Sequence, residues 1–175
     1  MTLIFGSVTR SGDGSRFTLD FERILATDIE DAWQAVTSPE RLVRWMAPYT
    51  GELALGGEWQ ALDDDGSVWC RGTVSECEPP HRFVTSWHAI DEEPTVLTVS
   101  LDTADGGTRL SLHHEGVQSR YYAPGWQSYL EQLDDLLGAA EASVIDPDRV
   151  VGVTWDERYN ELRVAWDTHF DALGD

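Results

Sequence analysis

Apolar and polar positions near the N-terminus follow first a strand pattern and then a helical one. Apolar residues alternate with polar ones from Phe17 to Leu25, which predicts a strand. Asp28 is a typical N-cap, and the apolar positions from Ile29 to Val36 follow at helical spacing. Ser38-Pro39 ends this helix and opens a second short one. The apolar stripe of the second helix is formed by Leu42, Trp45 and Met46.

Between Gly51 and about Val117, short β-rich runs alternate with turn sequences rich in Gly, Pro and Asp. The runs are Glu58 to Leu62, Ser67 to Cys77, Arg82 to Ile90, Thr95 to Leu101 and Thr108 to His114. Short strands with regularly spaced turns are typical of an antiparallel meander. In the last two runs apolar and polar residues alternate cleanly, so one face of the sheet is predicted to be buried and the other wet.

A long helix is predicted to begin near Pro124 and to end between Gly138 and Glu141. Its apolar stripe is formed by Trp126, Tyr129, Leu133, Leu136 and Leu137. Its opposite, acidic face is marked by Gln127, Glu131 and Asp135. A sheet with one apolar face needs a cover, and this helix is the apolar element long enough to provide it. The pattern therefore predicts an α+β fold, in which a strongly curved antiparallel sheet grips the long helix with a pocket beneath it.

The C-terminal part of the chain is predicted to be an addition to this fold. Residues 143–153 have the composition of a linker, and an amphipathic helix is predicted from about Trp155 to Leu173. We therefore divide the chain into a domain over residues 1–141 and a linker with an accessory helix over residues 142–175. Two roles for that helix stay open, namely closing the pocket and forming a homodimer.

The net charge of the chain argues against some classes of binding partner. The 175 residues include 12 basic and 32 acidic ones, for a formal net charge of −20. Such a surface repels phosphate groups, which argues against a nucleic-acid or membrane partner. No apolar run approaches the ~20 residues of a bilayer-spanning helix, and the N-terminus lacks a secretory signal, so a cytoplasmic location is predicted.

Cys70 and Cys77 are predicted to be free thiols on opposite faces of one strand, beyond disulfide reach.

Several sequence segments, in this order, resemble one known superfamily. They are Asp31 to Glu40 with Leu42 and Arg44-Trp45, Gly56 to Trp59, Gly72 to Val74, Pro79 to Phe83, Ser86-Trp87, Gly106 to Leu110, His114 to Gly116, and Gly125-Trp126. Over about residues 16–140 the chain is similar to the START-like SRPBCC superfamily, and within it to the activator of heat-shock-protein-90 ATPase homologue branch. The resemblance implies a helix-grip fold with a hydrophobic cavity between the sheet and the long helix.

The resemblance leaves the function open, because this superfamily includes lipid carriers, hormone receptors, polyketide aromatases and cyclases, and co-chaperone domains. The favoured expectation is a small apolar or aromatic ligand bound in the cavity. The alternatives are an aromatase- or cyclase-like enzyme and a co-chaperone-like interaction module. A chaperone partner is less expected, since the chain lacks the separate N-terminal domain of the eukaryotic co-chaperone.

Ten residues are candidates for contact with the ligand. They are Trp45, Met46, Trp59, Trp87, Leu112, His114, Tyr122, Trp126, Tyr129 and Leu133. The alternative for each aromatic residue is a place in a filled core. A buried indole N–H needs an acceptor, so a pocket of this composition suits an apolar ligand with a few acceptor atoms. His114 shares strand parity with Leu110 and Leu112 and is predicted to face the cavity.

Few residues suggest other chemistry. No His or Cys cluster has metal-ligand spacing, and no nucleophile elbow, phosphate loop or dinucleotide motif is present, so we predict no metal, no cofactor and no assigned catalytic residue. In the enzyme alternative, His114 and a tyrosine would be the acid–base groups. Arg120 has two interpretations, as a partner for a ligand carboxylate or for surface acidic residues.

Overall fold

An eight-stranded antiparallel sheet, in the order β1-β2-β8-β7-β6-β5-β4-β3, forms most of the part of the chain that the structure describes. The structure is a computed structural model that describes residues 2–141 and 143–174. The strands are β1 Gly6–Arg10, β2 Phe17–Leu25, β3 Tyr49–Gly51, β4 Glu58–Leu62, β5 Val68–Glu78, β6 Arg82–Ala89, β7 Thr95–Ala104 and β8 Gly107–Val117. The predicted antiparallel meander is confirmed.

Four helices accompany the sheet in the described residues. They are α1 Ile29–Thr37, α2 Pro39–Leu42, α3 Tyr122–Leu137 and α4 Trp155–Asp171. The carboxylate of Asp28 caps α1 by accepting a hydrogen bond from the Asp31 N–H at 2.8 Å, as predicted. The second helix is shorter than predicted, because α2 ends at Leu42 and the chain continues in turns to Met46. Trp45 is buried all the same, and its indole N–H donates to the Ala35 carbonyl at 2.9 Å.

The hydrophobic core lies between the curved sheet and α3. Trp126, Leu130 and Leu133 on the inner side of α3 are buried in one cluster with inward-facing strand residues such as Phe83 and Leu112. This is the α+β helix-grip arrangement that the alternation pattern and the family resemblance predict. None of the helices in the described residues is both long and apolar enough to cross a membrane.

Most of the predicted polar face of α3 is buried rather than exposed, because α4 covers it, whereas Asp135 on the same face is exposed. Gln127 and Glu131 are 0% and 3% exposed. The indole N–H of Trp166 on α4 donates to the Gln127 side-chain oxygen at 2.9 Å. By contrast, Leu136, which the helical stripe assigned to the apolar side, is 41% exposed. Helix α4 therefore packs on α3 through hydrogen-bonded polar groups as well as through apolar residues.

A buried ionic cluster holds α4 in place. Arg158 donates to the Glu131 carboxylate at 2.6 Å and to the Asp146 carboxylate at 3.0 Å. Arg149 also approaches Glu131, at 3.2 Å, so the predicted linker is tied down by two of its own residues. Asp146 accepts a further hydrogen bond from the N–H of Leu3 at 3.0 Å. Because a buried charge without a partner is very costly, these contacts fix the position of α4 on the domain.

A β-bulge alters the predicted orientation of one cysteine. The pairing of β5 with β6 shifts between Val74 and Glu76. The extra residue reverses the strand parity, so Cys77 packs against the same core that buries Cys70, and the prediction of opposite faces was wrong. Both thiols are free, as predicted.

Candidate functional site

The space directly beneath α3 is almost filled with side chains. A cavity of about 30 Å³ remains between the helix and the sheet. The indoles of Trp59, Trp87 and Trp126 border it, with ring centroids 5.5 Å apart for the first two and 5.2 Å for the last two. Ligand pockets are about 300–1,000 Å³, so this cavity holds at most a few water molecules.

A much larger cleft opens at the N-terminal end of α3. It has a volume of about 680 Å³ and lies between the sheet, α3 and the start of α4. Aromatic side chains from separate parts of the chain form its walls: Trp69 from β5, Trp126 and Tyr129 from α3, and Trp155 and Tyr159 from α4. Its volume is in the range typical of small-molecule sites.

Neighbouring aromatic rings in these walls are in contact with one another. Trp155 and Tyr159 are stacked, with centroids 4.8 Å apart and planes 13° apart. Tyr129 lies 5.1 Å from Trp155 and 6.3 Å from Trp126. Offset and edge-to-face contacts of this kind stabilise each other, so the walls present a continuous aromatic surface.

His114 lies behind this surface and is fully enclosed. The indole N–H of Trp126 donates to its Nδ1 at 3.0 Å, so the ring proton is on Nε2, 2.7 Å from the Thr95 hydroxyl. That hydroxyl in turn donates to the Trp87 carbonyl at 3.0 Å. Burial lowers the pKa of His114 to about 3, which keeps the ring neutral near pH 7. His114 is therefore a positioning residue for the indole of Trp126, and all of its hydrogen-bonding capacity is used.

A polar pair, Tyr122 and Glu92, does reach the cleft. The Tyr122 hydroxyl accepts from the indole N–H of Trp87 at 3.3 Å and donates to the Glu92 carboxylate. Burial and the neighbouring carboxylate raise the pKa of Tyr122. The hydroxyl therefore stays protonated and acts as a hydrogen-bond donor.

The predicted ligand residues divide among three places. The cleft is lined by Met46, Trp87, Tyr122, Trp126 and Tyr129. The small inner cavity is lined by Trp45, Trp59 and Leu112, together with Met46, Trp87 and Trp126. His114 and Leu133 are buried but border neither space. The sequence analysis missed the other residues that line the cleft, among them Trp69, Glu92, Trp155 and Tyr159.

Two further expectations concern charged groups. Arg120 lies 3.0 Å from the Asp171 carboxylate and 3.4 Å from that of Asp167, so it pairs with surface acidic residues on α4. In the described part of the chain, no group of three or more His, Cys, Asp and Glu side chains is arranged to hold a metal ion.

Comparison with known proteins places this geometry in a family. The model of the Activator of Hsp90 ATPase homolog 1-like protein family matches residues 26–138, most of the sheet and all of α3. The chain belongs to this family. None of the curated proteins compared with it matches its sequence.

Solved structures with this fold differ in how much of the chain they share. CalU16 from Micromonospora echinospora has 21% identity and a TM-score of 0.68, over 93% of this chain and 94% of its own. PFC0360w, an HSP90 activator from Plasmodium falciparum, has 19% identity and a TM-score of 0.60, over 70% and 96%. DynU16, a protein of the dynemicin biosynthetic locus, has 17% identity and a TM-score of 0.63, over 69% of this chain and 46% of its own. At these identities the likeness concerns the fold alone.

Proposed function

We propose that the protein binds a small apolar, largely aromatic molecule in the cleft at the N-terminal end of α3. The observation that carries the proposal is a cleft of about 680 Å³ with aromatic walls. We place the proposed site in this cleft rather than under the helix, because indole rings nearly fill the space between the helix and the sheet. The N–H groups of Trp87 and Trp126 already have protein acceptors, so these two indoles offer ring surface rather than hydrogen bonds to a ligand.

An aromatase- or cyclase-like enzyme is the second candidate, supported by the convergence of Tyr122 and Glu92 on the cleft. His114, the acid–base group first expected, is enclosed and neutral, which removes the strongest part of that hypothesis. The raised pKa of Tyr122 also makes its hydroxyl a weak acid. A chaperone partner stays a prediction that co-purification with a chaperone would test.

Binding of N-phenyl-1-naphthylamine, a neutral apolar dye that brightens in apolar surroundings, tests the proposal. We expect saturable binding of one dye per chain, with quenching of tryptophan emission by energy transfer. Trp155→Ala and Tyr159→Ala should each weaken binding about tenfold, because each removes an aromatic face worth roughly 1.5 kcal/mol of burial. Trp126 is a poorer target, since it is 4% exposed and its loss would disturb the core.

Val164→Ala is the matched control for these variants. Val164 is on the same helix and is 67% exposed, away from the cleft. Its truncation should leave dye affinity and stability unchanged. Absence of saturable binding, or equal affinity in the wild type, Trp155→Ala and Tyr159→Ala, would show that the cleft is not a ligand site.

A further inference from the structure

The charged side chains in the cleft wall all have the same sign. Asp63, Asp64, Glu92 and Asp156 line the cleft, and no arginine or histidine of the described residues does. Within residues 2–141 and 143–174, none of these four carboxylates forms an ion pair. The nearby Arg120 is engaged by Asp167 and Asp171 instead.

The four carboxylates differ in exposure, since Glu92 is half-buried whereas Asp63, Asp64 and Asp156 are exposed. Glu92 Oε2 accepts the Tyr122 hydroxyl, while Oε1 accepts no hydrogen bond from the described residues. Asp63 and Asp156 lie close enough to Tyr129 that, after burial, their negative charges are the main causes that raise its pKa to about 12. The cleft therefore combines ring faces, which carry negative potential, with carboxylates that have no cationic partner.

We propose that the ligand of this cleft is a cation, an apolar or aromatic molecule that carries an amine or quaternary ammonium group. This inference rests on the proposed binding function. A cation over a Trp or Tyr face is attracted by the ring quadrupole, and more strongly when partly desolvated. An adjacent carboxylate adds direct Coulomb attraction. A carboxylate or phosphate ligand would meet repulsion from four acidic side chains with no cation to offset it.

Three naphthalene compounds that differ in charge test this inference by displacing N-phenyl-1-naphthylamine. They are (1-naphthylmethyl)trimethylammonium, neutral 1-naphthylmethanol and anionic 1-naphthaleneacetate. We expect the cation to bind about tenfold more tightly than the alcohol, and the anion to bind most weakly. Added salt should reduce the preference for the cation only partly, because a partly buried pair is screened less than an exposed one.

Glu92→Gln separates a local effect from the general attraction of an acidic protein. Glutamine keeps an acceptor for Tyr122 but removes the charge, and should lower affinity for the cation about tenfold while leaving the alcohol unchanged. Asp105→Asn is the matched control, since Asp105 is an exposed residue in the turn between β7 and β8 and does not line the cleft. It should change neither affinity by more than about twofold, because its turn packs against Ala140 beyond the C-terminal end of α3, the cleft is at the N-terminal end, and distant exposed charges are largely screened.

The outcomes distinguish this inference from the proposed function. If the dye and 1-naphthylmethanol bind but the cation gains nothing, the charge inference is overturned and the binding function stands. The same conclusion follows if Asp105→Asn weakens the cation as much as Glu92→Gln does. If none of the compounds or the dye binds, both proposals fail.

Discussion

The enclosure of His114 makes the stability of the fold depend on pH in a specific way. Its pKa falls from 6.5 to about 3 on folding, mainly through burial and secondarily through the nearby His113. Between these two values the unfolded chain holds a proton that the folded chain lacks, so stability is present above pH 6.5 and is lost as pH falls. At 1.36 kcal/mol per pH unit, this one residue should cost about 3 kcal/mol of unfolding free energy between pH 6.5 and pH 4.

His114→Gln isolates that contribution. Glutamine can accept from the Trp126 indole and donate to the Thr95 hydroxyl, and it does not titrate. We expect the variant to be about 1–2 kcal/mol less stable at pH 7, because its hydrogen bonds are less well placed. Its stability should fall less steeply with acid, so that the wild type loses its advantage near pH 5.

Urea unfolding followed by tryptophan fluorescence, at half-unit steps from pH 7 to pH 4, gives both curves. The nitrogen shifts of His114 in NMR spectra should show a neutral ring protonated on Nε2 throughout this range. Parallel curves for wild type and variant, or a charged ring at pH 5, would refute the reasoning.

Two other predictions concern packing. Arg158→Ala removes the arginine that pairs with the buried Asp146 and one of the two that pair with the buried Glu131, so it should cost about 3–5 kcal/mol in chemical denaturation. Arg163→Ala on the exposed face of α4 should cost at most about 0.5 kcal/mol. Equal effects would show that the ionic cluster is solvated. Gly107 has φ +155°, and an added Cβ would lie 1.8 Å from the Leu25 carbonyl oxygen, so Gly107→Ala should cost more than about 3 kcal/mol or prevent folding. Gly12→Ala, where an added Cβ meets no atom within 4 Å, should be neutral, and a stable Gly107→Ala protein would contradict the close approach of β8 to the Leu25 backbone.

The secondary structure was largely predictable because the apolar residues of each helix and strand recur at the spacing typical of that type of element. The alternating runs from Thr95 and Thr108 became β7 and β8, which have 10 and 11 residues and extend beyond the predicted bounds. The helix expected from Pro124 begins at Tyr122. The errors arise where tertiary contacts override the local pattern. A bulge in β5 turns Cys77 inward, and α4 buries Gln127 and Glu131 on the polar face of α3.

The location of the cleft was not predictable from residue types. Whether large indoles fill a cavity or line one depends on ring orientation, and hydrogen bonds between distant residues set that orientation. The indole N–H of Trp59, for example, donates to the Thr85 hydroxyl at 2.8 Å. Likewise, the hydrophobic periodicity of α4 predicts an apolar stripe, but it does not predict which surface of the domain that stripe packs against. Trp155 and Tyr159 therefore gave no sequence signal that they would line a cleft together with Tyr129.

The proposed binding function would couple ligand binding to the docking of the accessory helix α4. The match to CalU16 covers 93% of this chain, so it includes most of the C-terminal segment, whereas the match to the Plasmodium falciparum protein covers 70%. Trp155 and Tyr159 are within one turn of Arg158, which anchors α4 in the buried ionic cluster. A ligand in the cleft would contact residues of both helices, so it would favour the docked position of α4 and raise the melting temperature as its concentration exceeds its Kd. Deleting α4 would remove one wall of the cleft and uncover Glu131 at the same time, which is why single substitutions at the rim test binding more cleanly than truncation does.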